Sequence, residues 1–541
     1  MRGAAAILRY WHTARHLKPQ QVIGRVRFRL ARPTPDVRPA PCVRAMTGPW
    51  RLPADRPRSW FPGDVVRFLN VEHRLDEIGW DDPSVPKLWR YNLHYFDDLL
   101  APDAPARRGA QRAAIDRWIR ENPPGQGTGW DPYPTSLRIV NWVKWALAGG
   151  DLGEQATQSL AVQARWLARR LEWHLLGNHL FVNAKALVFA GCFFEGPEAA
   201  RWRAEGSRIL RSQLVEQILP DGGQFERSPM YHALALEDVL DLINVLAACG
   251  ALADSLGEAL RPQVKPMRRW LQAMTHPDGE IAFFNDAAMG IAPRAEELDA
   301  YAGRLGFPGR SDPLPELTVL PDSGFVRMQR GPAVVIADVG PVGPDYLPGH
   351  AHADTLSFEL SLHGRRLIVN SGTSEYGVSA ERLRQRGTAA HSTVSVDGQD
   401  SSEVWGGFRV ARRARTSGLF ARTAEGRIEV GCSHDGYRRL PGRPVHARRW
   451  ILDAHGLDVE DEVPHAPGRA CMHVHWAPGV HCLPDGSVMF EDARAAQLEL
   501  HGTSRREVAS TWHPRFGEVV SNEMTVARIT GTSCTLRLRW T

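Results

Sequence analysis

The feature that most constrains the fold of this 541-residue chain is a change in its hydrophobic period near residue 310. Between about residues 64 and 305, apolar residues recur every three or four positions, which is the spacing of amphipathic helices. One such set is Leu236, Val239, Leu240 and Ile243. After residue 315 the period becomes two, and short alternating runs follow one another with turn residues between them. The sequence therefore predicts an all-helical block followed by an antiparallel β block.

The length and the change of period together predict three parts. A chain of 541 residues exceeds what one hydrophobic core ordinarily holds, so more than one domain is expected. Residues 1–60 form a basic arm with scattered prolines. Residues 61–310 contain at least seven helical segments separated by Gly or Pro, and residues 311–541 contain the strand-like runs. We expect an α+β multidomain protein in which helices and strands are segregated.

Composition excludes several classes of function. Apolar residues make up 43% and charged residues 23% of the chain, a balance typical of folded globular proteins. No run of about 18 or more apolar residues occurs, so no membrane span is expected. The net charge is only +5, nearly all basic residues are arginine, and no aromatic-basic cluster accompanies them. No nucleic-acid partner is therefore expected.

The cysteines and the first residues bear on the compartment. The seven cysteines are dispersed without a CxxC pair, which argues against a disulfide framework and against a cysteine zinc site. The apolar run near the first residue is interrupted at His12, Arg15 and His16, which makes it too short for the core of a signal peptide. We therefore expect a cytoplasmic protein, with a periplasmic location as the alternative.

Three polar stretches carry candidate chemistry, and the first of them starts at Gly177. Asn178, His179 and Asn183 lie in GNHLFVNAKAL, where a new helix is predicted to begin. His179 and Asn183 share one helical face at the i, i+4 spacing. An imidazole and two amides at the start of an apolar helix need polar partners, in a ligand or in the protein. Capping by Asn178 with a hydrogen-bonded core histidine is the structural alternative.

The second stretch, DGGQFERSPMYH, predicts a helix start. Ser228 is the expected N-cap and Pro229 the first helical residue, which places Tyr231 in the first turn. The helix dipole, with Arg227 and His232 nearby, is expected to lower the pKa of Tyr231 towards the range of a working base. An amphipathic tyrosine at a helix end is the alternative interpretation.

The third stretch, PGHAHADTLSF, places His350, His352 and Asp354 on one face if it forms a strand. Two imidazoles and a carboxylate on one face are costly to bury without a function, so metal binding or acid–base chemistry is favoured. His391, at the start of the strand-like run HSTVSV, is a candidate to join them. Walker A, dinucleotide-binding, HExxH and GxSxG motifs do not occur in the sequence.

At these stretches the chain resembles the heparinase II/III family of polysaccharide lyases. The resemblance rests on residues 177–196, 221–232, 348–373 and 389–398, and the order of helices and strands extends it to nearly the whole chain. It implies an incomplete α/α toroid followed by an antiparallel β-sandwich, with the site between them. It also implies β-elimination of a uronate-containing acidic polysaccharide, in which the C5 proton is removed and the 4-O-glycosidic bond breaks.

The resemblance also implies a role for each matching residue. Asn178 resembles the residue that binds the uronate carboxylate, with His179 beside it. Tyr231 resembles the tyrosine that serves as acid, base or both, and His350 the histidine that completes the acid–base set. We expect further substrate contacts from Glu226, Arg227, Asn183 and Tyr376.

A structural zinc ion is implied by several branches of the family. His352 and His391 resemble two of its ligands, whereas Asn370 stands where those branches have an aspartate. An amide is a poorer zinc ligand than a carboxylate, so a site formed by His352, Asn370 and His391 is in doubt. Asp354 is the residue that could compensate for Asn370.

Two alternatives to a lyase stay open. A glycoside hydrolase on the same toroid would need two carboxylates about 5–10 Å apart, for which Glu226, Asp354 and Glu403 are candidates. A non-catalytic polysaccharide-binding or exopolysaccharide-assembly protein would keep the fold without the reaction. The ultraviolet absorbance of a new C4–C5 double bond distinguishes elimination from both alternatives.

Overall fold

The structure, a computed structural model, describes residues 2–309, 312–491 and 493–540, with side chains from residue 6 onward. Helices dominate as far as Arg304 and antiparallel strands from Leu317, so the predicted order of a helical block and a β block is confirmed. The sequence did not anticipate two features: the arm begins with two helices, and a small sheet precedes the helical block. Within the described residues, no helix combines the length and the apolar character needed to cross a membrane.

The helical block is built from amphipathic segments packed around one central helix. The α-helices are α1 (Arg2–Ala14), α2 (Pro19–Leu30), α3 (Leu75–Ile78), α4 (Lys87–Tyr95), α5 (Arg108–Glu121), α6 (Pro132–Leu147), α7 (Gly153–Ala168), α8 (Gly177–Phe193), α9 (Pro197–Gln217), α10 (Pro229–Ala248), α11 (Ser255–Leu260), α12 (Val264–Ala273), α13 (Ala295–Arg304) and α14 (Ala380–Arg386). From Leu180 to its end, α8 is buried on every side, because α6, α9 and α10 surround it. An apolar helix without a polar face, such as α8, is suited to this central position.

The β block is formed by antiparallel strands. The strands of the whole chain are β1 (Trp60–Phe61), β2 (Val65–Phe68), β3 (Val71–Arg74), β4 (Leu317–Leu320), β5 (Phe325–Arg330), β6 (Ala333–Asp338), β7 (Phe358–Leu362), β8 (Arg365–Ile368), β9 (Val394–Val396), β10 (Val404–Trp405), β11 (Arg409–Val410), β12 (Thr416–Ala424), β13 (Arg427–His434), β14 (His446–Leu452), β15 (Gly456–Glu462), β16 (Ala470–His475), β17 (Val480–Cys482), β18 (Ser487–Phe490), β19 (Ala493–His501), β20 (Thr503–Trp512), β21 (Val520–Ile529) and β22 (Ser533–Arg539).

Three sheets make up the sandwich. The largest has eight strands in the order β12-β13-β14-β15-β22-β19-β18-β17. A five-stranded sheet runs from β4 to β8, and a four-stranded sheet has the order β20-β21-β16-β9. Side chains from all three sheets, including Trp450 and Trp476, form one apolar core. The alternating burial along strands such as β14 explains why the period-two pattern predicted this part of the fold.

A buried charge network joins α6, α8 and α10. Lys144 on α6 and Lys185 on α8 both bind the Asp241 carboxylate on α10, at 2.5 and 2.6 Å. Lys185 also binds Asp238 at 2.6 Å. Burial alone would raise the pKa of Asp241, but the two ammonium groups outweigh burial and lower that pKa. Because buried charges are stable only when they are paired, this network fixes the three helices relative to one another.

Asp241→Ala should lower the free energy of unfolding of the helical block by about 3–5 kcal/mol, because Lys144 and Lys185 lose the carboxylate that they share in a buried site. Circular dichroism during urea denaturation measures this loss. Glu72→Ala is the control, since it removes an exposed ion pair with Arg67 and should cost less than about 1 kcal/mol. Equal losses in the two variants would contradict a stabilising role for the network.

Candidate active site

The candidate site lies where the N-terminal ends of α8 and α10 meet the loop between β6 and β7. Asn178 and His179 occupy the first turn of α8, and Tyr231 occupies the first turn of α10. Ser228 caps α10, since its hydroxyl accepts a hydrogen bond from the Tyr231 amide at 3.2 Å. The β6–β7 loop brings the His350 ring centroid to 4.0 Å from that of Tyr231. Residues from three separate stretches of sequence therefore meet at one partly exposed junction, to which we give the name cleft.

Glycine at position 177 is favoured by the backbone conformation at the point where the β6–β7 loop approaches α8. Leu176 and Gly177 both have left-handed backbone conformations, with φ of +64° and +53°. A Cβ atom on Gly177 would lie 2.2 Å from a methyl group of Leu347 and 3.3 Å from the Glu226 carboxylate. A side chain here would displace the Leu347 methyl group and would strain the backbone at this positive φ, so glycine suits this position.

The stretch around His350 is not the strand that its alternation predicted. Strand β7 begins at Phe358, and the residues before it form turns and irregular backbone. Leu356, for example, has φ of +63°, which a β-strand does not accommodate. The two imidazoles therefore come from an irregular loop and not from one face of a strand, and the His350 ring packs on Tyr231.

The site centres on Asp286, a residue that sequence reasoning missed. His350 Nδ1 and His352 Nε2 lie 2.8 Å from the two oxygens of its carboxylate. Arg382, on α14, donates hydrogen bonds to both oxygens. The available signal was the polar pair Asn285-Asp286 inside the apolar run AFFNDAAM, because a carboxylate in such a run must find buried partners.

Asp286 determines which nitrogen of His350 carries hydrogen. Burial alone would raise the pKa of Asp286, but Arg382 and the two imidazoles outweigh burial and hold that pKa well below its ordinary range. The ionised carboxylate accepts the hydrogen of His350 Nδ1. Nε2 is therefore the ring nitrogen on the side away from Asp286, and Glu226 Oε2 lies 3.7 Å from it. His350 is thus oriented to accept a proton through Nε2.

The predicted lowering of the Tyr231 pKa is wrong. Burial, with neighbouring Tyr376 adding to its effect, raises the pKa of Tyr231 well above the ordinary value. Arg227 and His232, which were expected to lower this pKa, do not act on the Tyr231 hydroxyl. Burial against Trp270 lowers the pKa of His232 to about 4, and Arg227 points to carbonyl groups of the β block. Tyr231 is therefore a protonated phenol that can donate hydrogen.

The first turn of α8 can receive a carboxylate. Asn178 donates a hydrogen bond to Glu226 Oε1 at 3.2 Å, which orients its amide. His179 Nδ1 lies 3.2 Å from the buried carboxylate of Glu172. Burial alone would lower the pKa of His179, but Glu172 outweighs burial and raises it. An amide hydrogen and an imidazole whose charged form is favoured, at one helix N-terminus, are suited to binding an anion.

Two predicted substrate contacts, Asn183 and Arg227, have structural roles instead. Asn183 is fully buried, and its amide binds the Glu172 backbone and the Ser136 hydroxyl, at 2.9 and 3.1 Å. Arg227 donates to the carbonyl of Pro341 and so ties the helical block to the β block. The sequence pattern placed both residues correctly near helix starts but could not show which direction their side chains take.

The other two predicted contacts, Glu226 and Tyr376, do line the cleft. Glu226 Oε2 is buried without a hydrogen-bond partner among the described residues and lies towards His350. The Tyr376 hydroxyl lies 3.5 Å from His350 Nδ1 and 3.0 Å from the Tyr231 hydroxyl. Glu172 and Tyr133 also belong to this region, although neither lies in the three polar stretches. The centroid of the Tyr133 ring lies 4.6 Å from that of the His179 ring on α8.

A second buried cluster adjoins the cleft and could hold a metal ion. His352, Asp354 and His391 each present one ligand atom, and these atoms lie within 4.8 Å of one another. Asn370 does not join them, because its amide nitrogen and oxygen form backbone hydrogen bonds of 2.8 and 3.0 Å. The predicted ligand set is thus corrected at one position, from Asn370 to Asp354.

The hydrogen bonds of the two imidazoles favour a cation between them. His391 Nδ1 lies 2.8 Å from the Gly387 carbonyl and His352 Nε2 lies 2.8 Å from Asp286, so each of these nitrogens carries hydrogen. His352 Nδ1 and His391 Nε2 then face each other as lone pairs, 3.1 Å apart. Two facing lone pairs repel unless a cation lies between them. Imidazoles that donate their other hydrogen to a carboxylate or a carbonyl are typical zinc ligands, so this donor set fits zinc.

Comparison with known families gives matches over both blocks. Residues 150–304 match the family model described as the heparinase II/III N-terminus, and residues 312–541 match the one described as heparinase II/III-like, C-terminal. The chain is 29% identical over 414 residues to FtsZ-localized protein C of Caulobacter vibrioides, covering 72% of this chain and 66% of that protein. It is 28% identical over 248 residues to the heparin-sulfate lyase of Bacteroides stercoris, covering 42% of this chain and 37% of that protein. The chain thus spans less than two thirds of the length of either relative.

Solved structures share the fold. A crystal structure of heparinase III matches with a TM-score of 0.68 at 17% identity, covering 85% of this chain and 79% of the other. The heparan sulfate lyase HepC from Pedobacter heparinus matches with a TM-score of 0.56 at 18% identity, covering 88% of this chain and 81% of the other. The prediction of an incomplete α/α toroid followed by an antiparallel β-sandwich is confirmed by this likeness and by the order of elements.

Glu172→Gln should lower the pKa of His179, because the Glu172 carboxylate is what raises it. A raised histidine pKa contributes stability that is complete below the unfolded value of about 6.5 and is lost as the pH rises through the folded value. The difference in unfolding free energy between wild type and variant should therefore be largest near pH 5–6 and shrink above about pH 7. Histidine titration by NMR and urea denaturation at several pH values measure both effects.

Glu154→Gln, on an exposed position of α7, is the matched control and should change neither quantity. A pKa of His179 that stays the same in Glu172→Gln would rule out the ion pair assigned to these two residues.

Proposed function

The chain belongs to the heparinase II/III family, and from that premise we propose that it is a polysaccharide lyase acting on an acidic, uronate-containing polysaccharide by β-elimination. Relatives named heparin-sulfate lyase support this reaction class. The observation that carries the proposal is one pair of side chains. His350 offers a proton-accepting nitrogen and Tyr231 a protonated phenol, with ring centroids 4.0 Å apart in the same cleft.

Elimination first requires a site for the uronate carboxylate. The hydrogen on C5 becomes acidic only if the charge that develops on the adjoining carboxylate is stabilised. Asn178 and His179 supply an amide hydrogen and an imidazole hydrogen for this carboxylate. Glu226 holds the Asn178 amide, and Glu172 favours the charged form of His179. The role proposed for these four residues is therefore to bind and neutralise the acid group of the sugar.

Proton transfer then follows from the orientation of the other two groups. His350 Nε2 removes the C5 proton, and the electron pair of that bond forms the C4–C5 double bond as the C4–O4 bond breaks. The Tyr231 hydroxyl donates its proton to the departing oxygen. Asp286 and Glu226, on opposite sides of the His350 ring, stabilise the imidazolium that forms. Exchange with solvent returns the proton to Tyr231 and removes the one on His350.

A glycoside hydrolase has less support from the candidate carboxylates. Glu226 and Asp354 are buried and accept hydrogen bonds from Asn178 and from the Asn285 backbone. Glu403 is paired with an arginine at 3.0 Å. An imidazole and a phenol, rather than two carboxyl groups, are the proton-transfer groups at the cleft, and this favours elimination over hydrolysis.

A second candidate function is a non-catalytic role in polysaccharide binding or assembly. The similarity to FtsZ-localized protein C favours it, because the name of that relative gives a location and no reaction. A complete set of proton-transfer groups argues for catalysis. Time-dependent shortening of any acidic polysaccharide by the purified chain would exclude the non-catalytic role.

We also propose that His352, Asp354 and His391 bind one structural zinc ion. Zinc would cross-link the β6–β7 loop to the segment that begins β9, and would stabilise the position of His350, two residues from His352. The support for this proposal is that His352 Nδ1 and His391 Nε2 face each other 3.1 Å apart. The other nitrogen of each imidazole is hydrogen-bonded, so both facing nitrogens present lone pairs.

Tyr231→Phe should lower turnover by at least about a hundredfold, because it removes the hydroxyl that protonates the leaving oxygen. The assay is ultraviolet absorbance of the unsaturated product during digestion of heparan sulfate and other uronate polymers. Tyr437→Phe is the matched control, since it removes a buried phenol hydroxyl in the sandwich core, bonded to the Val394 carbonyl at 2.6 Å. This control should keep wild-type turnover. Near wild-type activity in Tyr231→Phe would remove Tyr231 from the mechanism.

His391→Ala should abolish binding of the proposed zinc ion and lower the thermal unfolding midpoint of the purified protein, because a structural metal stabilises only the folded state. Elemental analysis should find about one zinc per wild-type chain and much less in the variant. His481→Ala, which alters an exposed histidine, should keep the metal. Equal zinc content in wild type and His391→Ala, or no zinc in wild type after incubation with the ion, would overturn the metal site.

A further inference from the structure

Helix α2 contacts the rest of the chain through its polar and small residues. Gln21 is buried and donates a hydrogen bond to the Tyr346 carbonyl at 3.2 Å. A Cβ atom on Gly24 would lie 2.9 Å from the His174 backbone, so the helix approaches closely there. The Phe28 ring packs 4.2 Å from the His174 ring. These contacts define the face by which α2 docks onto the protein.

The opposite face of α2 is apolar and exposed. It carries Val22, Ile23, Val26 and Leu30, which are all more than half exposed, Leu30 at 77%. With 3.6 residues per turn these four fall within an arc of about 100°, on the far side from Gln21, Gly24 and Phe28. In a helix of a globular domain the apolar stripe faces the core. Helix α2 has the reverse arrangement, so the described residues leave its apolar stripe in contact with solvent.

Helix α1 has the same arrangement. Its Thr13 hydroxyl accepts a hydrogen bond from the Trp405 indole at 3.1 Å, and Tyr10 packs edge-on against Trp405 at 4.9 Å. Ile7 and Trp11, one helical turn apart, are 71% and 61% exposed. Two successive helices thus dock through polar or aromatic contacts and leave aliphatic and indole side chains in solvent.

The basic charge of residues 2–35 favours a negatively charged binding partner. Residues 2–35 contain eight Lys and Arg and no Asp or Glu, and Asp36 is the first acidic residue. On α2 the exposed Arg25 and Arg29 border one edge of the apolar stripe and Arg27 borders the other. The lysine of this segment, Lys18, is already paired with a glutamate on α9. The uncommitted arginines therefore flank an aliphatic stripe without any neighbouring acid in sequence.

We propose that α1 and α2 bind an anionic lipid surface, lying in its headgroup region with the apolar stripes inserted. An aliphatic stripe bordered by arginines is the pattern of interfacial helices, in which insertion of apolar side chains and attraction to anionic headgroups act together. An acidic polysaccharide would engage the arginines but has no apolar surface for Val22, Val26 and Leu30. Neither helix needs to span the bilayer for this mode of binding.

Lipid binding by the arm would place the cleft near the lipid surface. Gln21 and Lys18 contact Tyr346, and the adjoining Leu347 packs against Gly177 at the start of α8. The docked face of the arm is therefore continuous with the loop that carries the cleft. A lipid-bound arm would therefore also hold this loop close to the lipid surface.

Co-sedimentation of the full chain with vesicles tests the proposal. Wild type should bind vesicles of phosphatidylcholine with about one third phosphatidylglycerol at least tenfold more tightly than pure phosphatidylcholine, and about 0.5 M NaCl should weaken this binding. Combined Val22→Ser, Val26→Ser and Leu30→Ser should reduce the partition coefficient at least tenfold without lowering the thermal unfolding midpoint. Combined Arg25→Gln, Arg27→Gln and Arg29→Gln should do the same on the anionic vesicles.

The matched control combines Val215→Ser, Leu483→Ser and Val519→Ser, three exposed aliphatic positions elsewhere on the surface, and should bind vesicles like wild type. Absence of wild-type binding to anionic vesicles, or equal binding to neutral ones, would overturn the proposal. Unchanged binding by the α2 serine variant, or loss of binding in the control, would overturn it as well. In those cases the stripe would be assigned to a protein partner or the arginines to a soluble polyanion.

Discussion

The architecture of the cleft depends on the burial of one carboxylate, Asp286. A fully buried carboxylate is stable only when cations or hydrogen-bond donors surround it, and Asp286 has such neighbours on both of its oxygens. His350 and His352 come from the β6–β7 loop, and Arg382 comes from α14, whereas Asp286 itself lies in the helical part of the chain, between α12 and α13. The same contacts that satisfy this charge therefore dock the two blocks and orient the histidine proposed to accept the C5 proton.

The helix ends supply the complementary half of the site. Lys144, Lys185 and Asp241 join α6, α8 and α10 through buried ion pairs. The N-terminal ends of α8 and α10 then present Asn178 and Tyr231 to the β6–β7 loop. The two halves of the site have opposite roles in proton transfer. A carboxylate beside an imidazole prepares an acceptor, while burial of a phenol keeps a donor protonated. This separation of acid and base is what β-elimination requires of a cleft.

The sequence predicted the parts of this picture that depend on local pattern. The change of period near residue 310 was sufficient for the fold class, and Ser228-Pro229 correctly predicted the start of α10. Asp286 and Arg382 were missed because their roles arise from a contact between residues 96 positions apart. The pKa of Tyr231 was predicted in the wrong direction for a related reason: a helix dipole is visible in sequence, whereas burial is a property of the assembled domains. The ligand set was misassigned at Asn370 because hydrogen bonds to backbone groups distant in sequence occupy its amide.

The central claim is that the chain breaks its polymer by elimination through His350 and Tyr231. Mass spectrometry of oligosaccharides released from heparan sulfate or another uronate polymer in oxygen-18 water tests it most directly. Elimination takes no oxygen from the solvent, so we predict unlabelled products in which each new non-reducing end lacks one water relative to a saturated sugar. Incorporation of one labelled oxygen at each cleavage, with saturated ends, would contradict the account and assign the cleft to hydrolysis.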